Sequence, residues 1–117
     1  MTDLLFVMAA PPHGQINAQE GLDALLMGSA FARCRGLFVG DGVYQLLKQQ
    51  DTSGLGIKNF AKTFGALKDY GVDQLFVCAE SLATRGLKLE ALTLDVTALD
   101  TTEIRSLLAD SDRIMTF

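Results

Sequence analysis

The chemistry available to this chain of 117 residues is narrow: it has two cysteines, one histidine and no tryptophan. Cys78 is the most informative of these. It closes the apolar run Asp73-Gln74-Leu75-Phe76-Val77-Cys78 and stands directly before the short helical segment Glu80 to Arg85. Unpaired amides and the positive end of the dipole at a helix N-terminus favour an anion. A thiolate at this junction is a nucleophile or a sulfur carrier, because the thiolate is the reactive form of cysteine. The amides of Glu80 and Ser81 would hold it, and would equally hold the anionic outer sulfur of a persulfide. The carboxylate of Glu80 works against this if it turns towards the sulfur. The packing alternative makes Cys78 a small apolar residue ending a strand. The junction predicts a sulfur at the mouth of a crevice and at least partly exposed.

The remaining candidates are weaker. Cys34, flanked by Arg33 and Arg35, falls near the end of the first predicted helix and faces the negative end of its dipole, so a packing role is expected. His13 follows Pro11-Pro12 in the first loop, where a base could approach Cys78 across the sheet edge, although a lone loop histidine is more often solvated. Gly40-Asp41-Gly42 reads as a tight turn in which Asp41 caps the next helix. The glycines form neither GxGxxG after the first strand nor GxxxxGK[ST], so nucleotide-binding motifs are absent. Two separated cysteines and one histidine supply too few ligands for zinc, and no metal or cofactor is expected.

These residues need elements to position them. Asp3 to Ala9 is a continuous apolar run closed by Pro11-Pro12, the pattern of a strand buried on both faces. Asn17 to Cys34 carries Leu22, Leu25, Leu26, Ser29, Ala30 and Ala32 at helical spacing, with Asn17 as N-cap and Glu20 three residues on, and Gly36 stops it. Leu37-Phe38-Val39 is a second strand, Val43 to Gln50 a short helix, and Asn59 to Tyr70 an amphipathic helix ended by Gly71. Phe60, Phe64, Tyr70 and Phe76 fall on core faces. After the third strand and the helix closed by Gly86, Thr101 to Ala109 forms a helix with Leu107 and Leu108 inward, and Arg113 to Phe117 a last strand. Alternating strands and helices make right-handed βαβ units economical. The expected fold is a three-layer α/β domain spanning residues 1–117, with about five mostly parallel strands. In such sheets the functional loops lie beyond the carboxyl ends of the strands, which selects Pro11 to Gln15, Gly40 to Gly42 and Cys78 to Ser81.

Composition narrows the partners. Ten basic against fourteen acidic residues leave a net charge of −4, without the basic footprint of a chain that grips phosphate backbones by itself. No apolar run approaches the roughly 18 residues needed to span a bilayer. The opening Met1-Thr2-Asp3 lacks the basic region of a signal peptide, so a cytoplasmic location with free thiols is expected. The hydrophobic content of 49% is high for a small soluble domain and points to apolar surface meant for another subunit.

Several segments, in order, carry a resemblance: Ala10-Pro11-Pro12-His13-Gly14, Glu20-Gly21-Leu22-Asp23-Ala24-Leu25-Leu26, Asp41-Gly42-Val43-Tyr44-Gln45-Leu46-Leu47, Val77-Cys78-Ala79-Glu80-Ser81-Leu82 with Arg85-Gly86-Leu87, and the closing Ser111 to Phe117. Together they closely resemble the TusC/DsrF branch of the DsrE-like sulfur-relay family, over essentially the whole chain. The resemblance implies a subunit of a TusBCD-type cytoplasmic heterohexamer, assembled with TusB-like and TusD-like paralogues. Such a complex relays persulfide sulfur from a TusA-like donor to a TusE-like acceptor, towards 2-thiouridine at the tRNA wobble position. In that family the carrier cysteine belongs to the TusD/DsrE paralogue at the equivalent strand-to-helix junction, and Cys78 matches its place and residue type. A structural role beside that carrier is thus implied, with Cys78 the candidate catalytic residue. A DsrF-like subunit of a sulfur-oxidation complex, and a small-ligand-binding α/β domain without chemistry, are the alternatives.

Overall fold

The computed structural model describes residues 2–11, 17–47, 66–72, 74–92 and 96–117, with the main chain alone at Asn17 and Gln19. Five strands form one parallel sheet: β1 (Asp3–Met8), β2 (Arg33–Phe38), β3 (Leu75–Cys78), β4 (Thr97–Leu99) and β5 (Arg113–Thr116), in the order β4-β3-β2-β1-β5. Around it lie α1 (Asn17–Gly28), α2 (Ala79–Thr84), α3 (Thr101–Asp110) and 3-10 stretches at Gly40–Leu46 and Leu89–Ala91. The fold is α/β, as the alternation of apolar runs predicts. Among the described residues no helix is long and apolar enough to cross a membrane.

Strand alternation sorts the core into two faces. Phe6, Met8, Cys34, Phe38, Leu75 and Val77 point to the side covered by Leu22 and Leu25 of α1, Leu67 and Leu82. Leu5, Leu37 and Leu99 point to the other, where Leu107 of α3 covers them and Ile104 and Leu108 pack at the margin. Burying β1 and β2 on both faces explains why Leu4 to Ala10 is apolar throughout rather than alternating. A capping box secures the start of α3: the Asp100 carboxylate accepts from Glu103 N at 2.8 Å, and the Glu103 carboxylate accepts from Asp100 N at 3.1 Å.

Four expectations change. The first helix ends at Gly28, not Cys34, and Cys34 sits on β2 instead. Residues 29–32 turn the chain, with Phe31 N and Ala32 N both donating to the Gly28 carbonyl. The arginines at 33 and 35 hide the first half of the strand from a reading based on apolar runs, which begins it at Leu37, yet both face away from the α1 side. Arg33 stands exposed 3.9 Å from Asp3, and the Arg35 guanidinium donates to Ser111 Oγ at 3.0 Å. Second, β4 is a strand of three residues that no apolar run announced. Third, Tyr70 is 64% exposed rather than part of the core; it stands at the end of its helical turn, just before Gly71 at φ +84°. Fourth, the turn at Gly40–Gly42 is the start of a 3-10 stretch, and Asp41 does not cap it: Val39 holds the N-cap position without a side-chain bond. Phe60, Phe64 and His13 lie outside the described residues, as does the side chain of Asn17.

Candidate functional site

The carboxyl ends of β2 and β3 lie side by side, with Leu37 opposite Phe76 and Phe38 opposite Val77. The segments that leave these two strands therefore meet in space. From β2 the chain enters the stretch Gly40–Leu46, whose approach to β1 is close: a Cβ on Gly42 would stand 2.0 Å from the Met8 carbonyl oxygen. Only glycine fits there. The buried Gln45 fastens the same stretch by donating from Nε2 to the Ala10 carbonyl at 2.9 Å.

From β3 the chain enters α2 directly, and Cys78 occupies the N-cap. Its Sγ accepts the Ser81 amide at 3.4 Å, a contact in which sulfur replaces the usual hydroxyl or carboxylate oxygen of a cap. Cys78 is half-buried and makes no disulfide. Of the two amides expected at the sulfur, the Ser81 amide faces it, and the Glu80 side chain is exposed. The other end of α2 closes as a Schellman motif: Leu87 N donates to the Leu82 carbonyl at 2.9 Å and Gly86 N to the Ala83 carbonyl at 3.2 Å, with Gly86 at φ +65°. Helix α2 is thus held at both ends in six residues.

Side chains tie the two segments together. The Ser81 hydroxyl accepts the Gly40 amide at 2.9 Å, so one residue bonds the sulfur through its own amide and the β2 loop through its oxygen. Arg85, the C-cap residue of α2, reaches back over the loop. It donates from Nε and Nη2 to Asp41 Oδ1 at 3.2 and 3.0 Å, and from Nη1 to the Ser81 carbonyl at 3.3 Å. Its guanidinium carbon lies 6.0 Å from the centre of the Tyr44 ring, within cation–π range. With Asp41 58% exposed, such a pair adds about 0–1 kcal/mol of stability, so its weight is geometric.

The other thiol differs in kind. Cys34 is buried against Gly28 on the α1 side of the sheet, and burial pushes its thiol above the ordinary value. The packing role expected of it holds. Of the three loops expected to carry function, the structure joins Gly40–Gly42 to Cys78–Ser81, while the candidate loop around His13 lies outside the described residues. Sequence reading missed Arg85 and the Ser81 hydroxyl. The four-residue spacing of Ser81 and Arg85 put them on one helix face, but no linear signal links either to Gly40 or Asp41.

Comparison with known proteins agrees with this architecture. Two solved structures share it over their full length and the full length of this chain: the YchN protein of E. coli, with a TM-score of 0.84 at 21% identity, and MTH1491 of Methanobacterium thermoautotrophicum, a protein of unknown function, with a TM-score of 0.70 at 12% identity. At those identities the likeness is one of fold. Among curated sequences, a Protein TusC homolog of Vibrio parahaemolyticus is 38% identical and one of Vibrio vulnificus 36% identical, each matching over 100% of both chains. The sequence model of the DsrE/DsrF-like family matches residues 2–117. With a family match that leaves out only the first residue and full-length relatives above a third identical, the chain belongs to the DsrE/DsrF-like family.

Proposed function

We propose that this chain is a subunit of a sulfur-relay complex and handles sulfur at Cys78. The observation that carries the reading is the half-buried, disulfide-free Cys78 at the β3–α2 junction, its sulfur faced by the Ser81 amide, in a member of this family. The transfer requires no external oxidant. The Cys78 thiolate attacks the outer sulfur of a donor persulfide; the donor's S–S bond breaks as the new one forms, and the donor cysteine leaves as a thiolate. Cys78 then bears the sulfane sulfur until an acceptor thiolate removes it in the same way. Helix α2 supplies a main-chain donor at the sulfur, the kind of group that stabilises developing negative charge.

The full-length relatives named as TusC homologs support placing the chain beside TusB-like and TusD-like paralogues in a heterohexamer. There it is mainly the structural partner of a TusD-like carrier, with sulfur entering from a TusA-like donor and leaving to a TusE-like acceptor towards 2-thiouridine of tRNA. A net charge of −4 suits a chain that passes cargo between proteins better than one that grips RNA. Replacing Cys78 with serine keeps the size and removes the carrier. In the complex co-expressed with its paralogues, Cys78→Ser is expected to abolish or strongly reduce tRNA thiolation while assembly persists. Unchanged thiolation would assign this subunit a purely structural part.

A further inference from the structure

Nothing in the sulfur chemistry itself calls for Asp41 or Arg85, yet the two form the most connected polar group among the described residues at this end of the sheet. Arg85 spends all three guanidinium nitrogens within the site: Nε and Nη2 on Asp41, and Nη1 on the Ser81 carbonyl. Ser81 is in turn the residue whose amide faces the Cys78 sulfur and whose hydroxyl holds the Gly40 amide. An unbroken chain of contacts therefore runs from an exposed carboxylate on the β2 loop to the sulfur on β3. Helix α2 has only six residues, too few to be rigid by its own propensity. Its orientation depends on what clamps it.

We propose that Arg85 is a positioning residue for Cys78, and that its bridge to Asp41 locks the first turn of α2 against the β2 loop so that the Ser81 amide stays aimed at the sulfur. This deepens the sulfur-handling reading and rests on it for its biological meaning, though the positioning itself is measurable without any sulfur donor. The fork of Arg85 matters as much as its charge, because one planar group must reach a carboxylate on one side and a carbonyl on the other. The Tyr44 ring beneath it limits where that fork can lie.

The test is the rate at which Cys78 in the full chain is alkylated by iodoacetamide at neutral pH, read by mass spectrometry of the Cys78 peptide, with Tm followed in parallel. Arg85→Ala and Asp41→Ala are each expected to slow alkylation by about threefold or more, the scale on which a first-turn electrostatic contact acts. The double variant should be no slower than the slower single one, since both remove the same bridge. Arg85→Lys should recover roughly half of the loss, keeping the charge but not the fork. Asp41→Asn, at an exposed position, serves as the second variant where Arg85→Ala lowers folding. Alkylation unchanged in both single variants at unchanged Tm overturns the proposal, and so do losses that multiply in the double variant. A persulfide-transfer assay on the same proteins separates the two ideas. If wild-type Cys78 accepts no sulfane sulfur but its alkylation depends on Arg85, positioning stands and the carrier reading falls. If wild type and Arg85→Ala accept sulfur at equal rates, positioning falls and the carrier reading stands.

Discussion

Two cysteines in one small sheet illustrate how position decides what a thiol can do. Cys34 lies mid-sheet beneath α1, where desolvation favours its neutral form, while Cys78 is a half-buried residue at a strand end. Under native conditions iodoacetamide is expected to label Cys78 well before Cys34, and in denaturant the two should react alike; peptide mapping of a time course checks this. Burial of Cys34 has a further consequence for stability. Its folded thiol ionises at higher pH than its unfolded one, so above the ordinary thiol range the unfolded state has released a proton that the folded state still holds. Stability is therefore intact below that range and falls as pH rises through it. Denaturant titrations at rising alkaline pH should show this fall, and Cys34→Ala should lessen its pH dependence while lowering stability overall.

At the scale of elements, the site depends on two short segments clamped by particular contacts rather than by length. The 3-10 stretch Gly40–Leu46 begins where Gly42 presses on the Met8 carbonyl, so the end of β1 sets the height of the loop that carries Asp41. Gly42→Ala is expected to cost about 1–3 kcal/mol, the usual scale for forcing an extra methyl into a packed contact, and more if the strand end cannot yield. Chemical denaturation would measure it. The same change should disturb the Asp41–Arg85 bridge and slow Cys78 alkylation, because the backbone beneath Asp41 must shift to relieve the clash.

At the scale of the molecule, the described residues cover the two faces of the sheet unequally. Leu22, Leu25, Leu67 and Leu82 close one side, whereas α3 is the helix described on the other, and Ile114 of the edge strand β5 stays 46% exposed. Phe31, at 86%, and Met27, at 71%, stand exposed around the turn that ends α1. Apolar surface of this kind accords with the proposal that the chain works inside an assembly. Co-expressed with TusB-like and TusD-like paralogues, it is expected to sediment as a complex whose interfaces each bury at least about 1,000 Å². A clean monomer that ignores both would contradict that proposal.

Much of this architecture is legible in the linear sequence. The continuous apolar runs of β1 and β3 are the signature of strands buried on both sides, and Gly86 and the Asp100–Glu103 pair mark helix ends by local chemistry that a linear reading can see. The junction of Cys78 with a helix start is legible for the same reason, since cap and strand adjoin in the chain. The features that stayed hidden depend on neighbours distant in sequence. The start of β2, Arg33 and Cys34, reads as a helix end because Arg33 and Arg35 break its apolar pattern, and only the face the two arginines share, turned towards Asp3 and Ser111, makes them compatible with a strand. Strand β4 is three residues long and owes its state to pairing with β3, not to propensity. Asp41 looked like a cap because capping is the commonest local use of a carboxylate at a turn. Its actual partner, Arg85, lies 44 residues away. Sequence alone determined most of the elements and the strand end at which Cys78 stands; the parallel order β3-β2-β1 decided which loop that sulfur meets, because side-chain bonds between loops exist only once the sheet has brought their strands together.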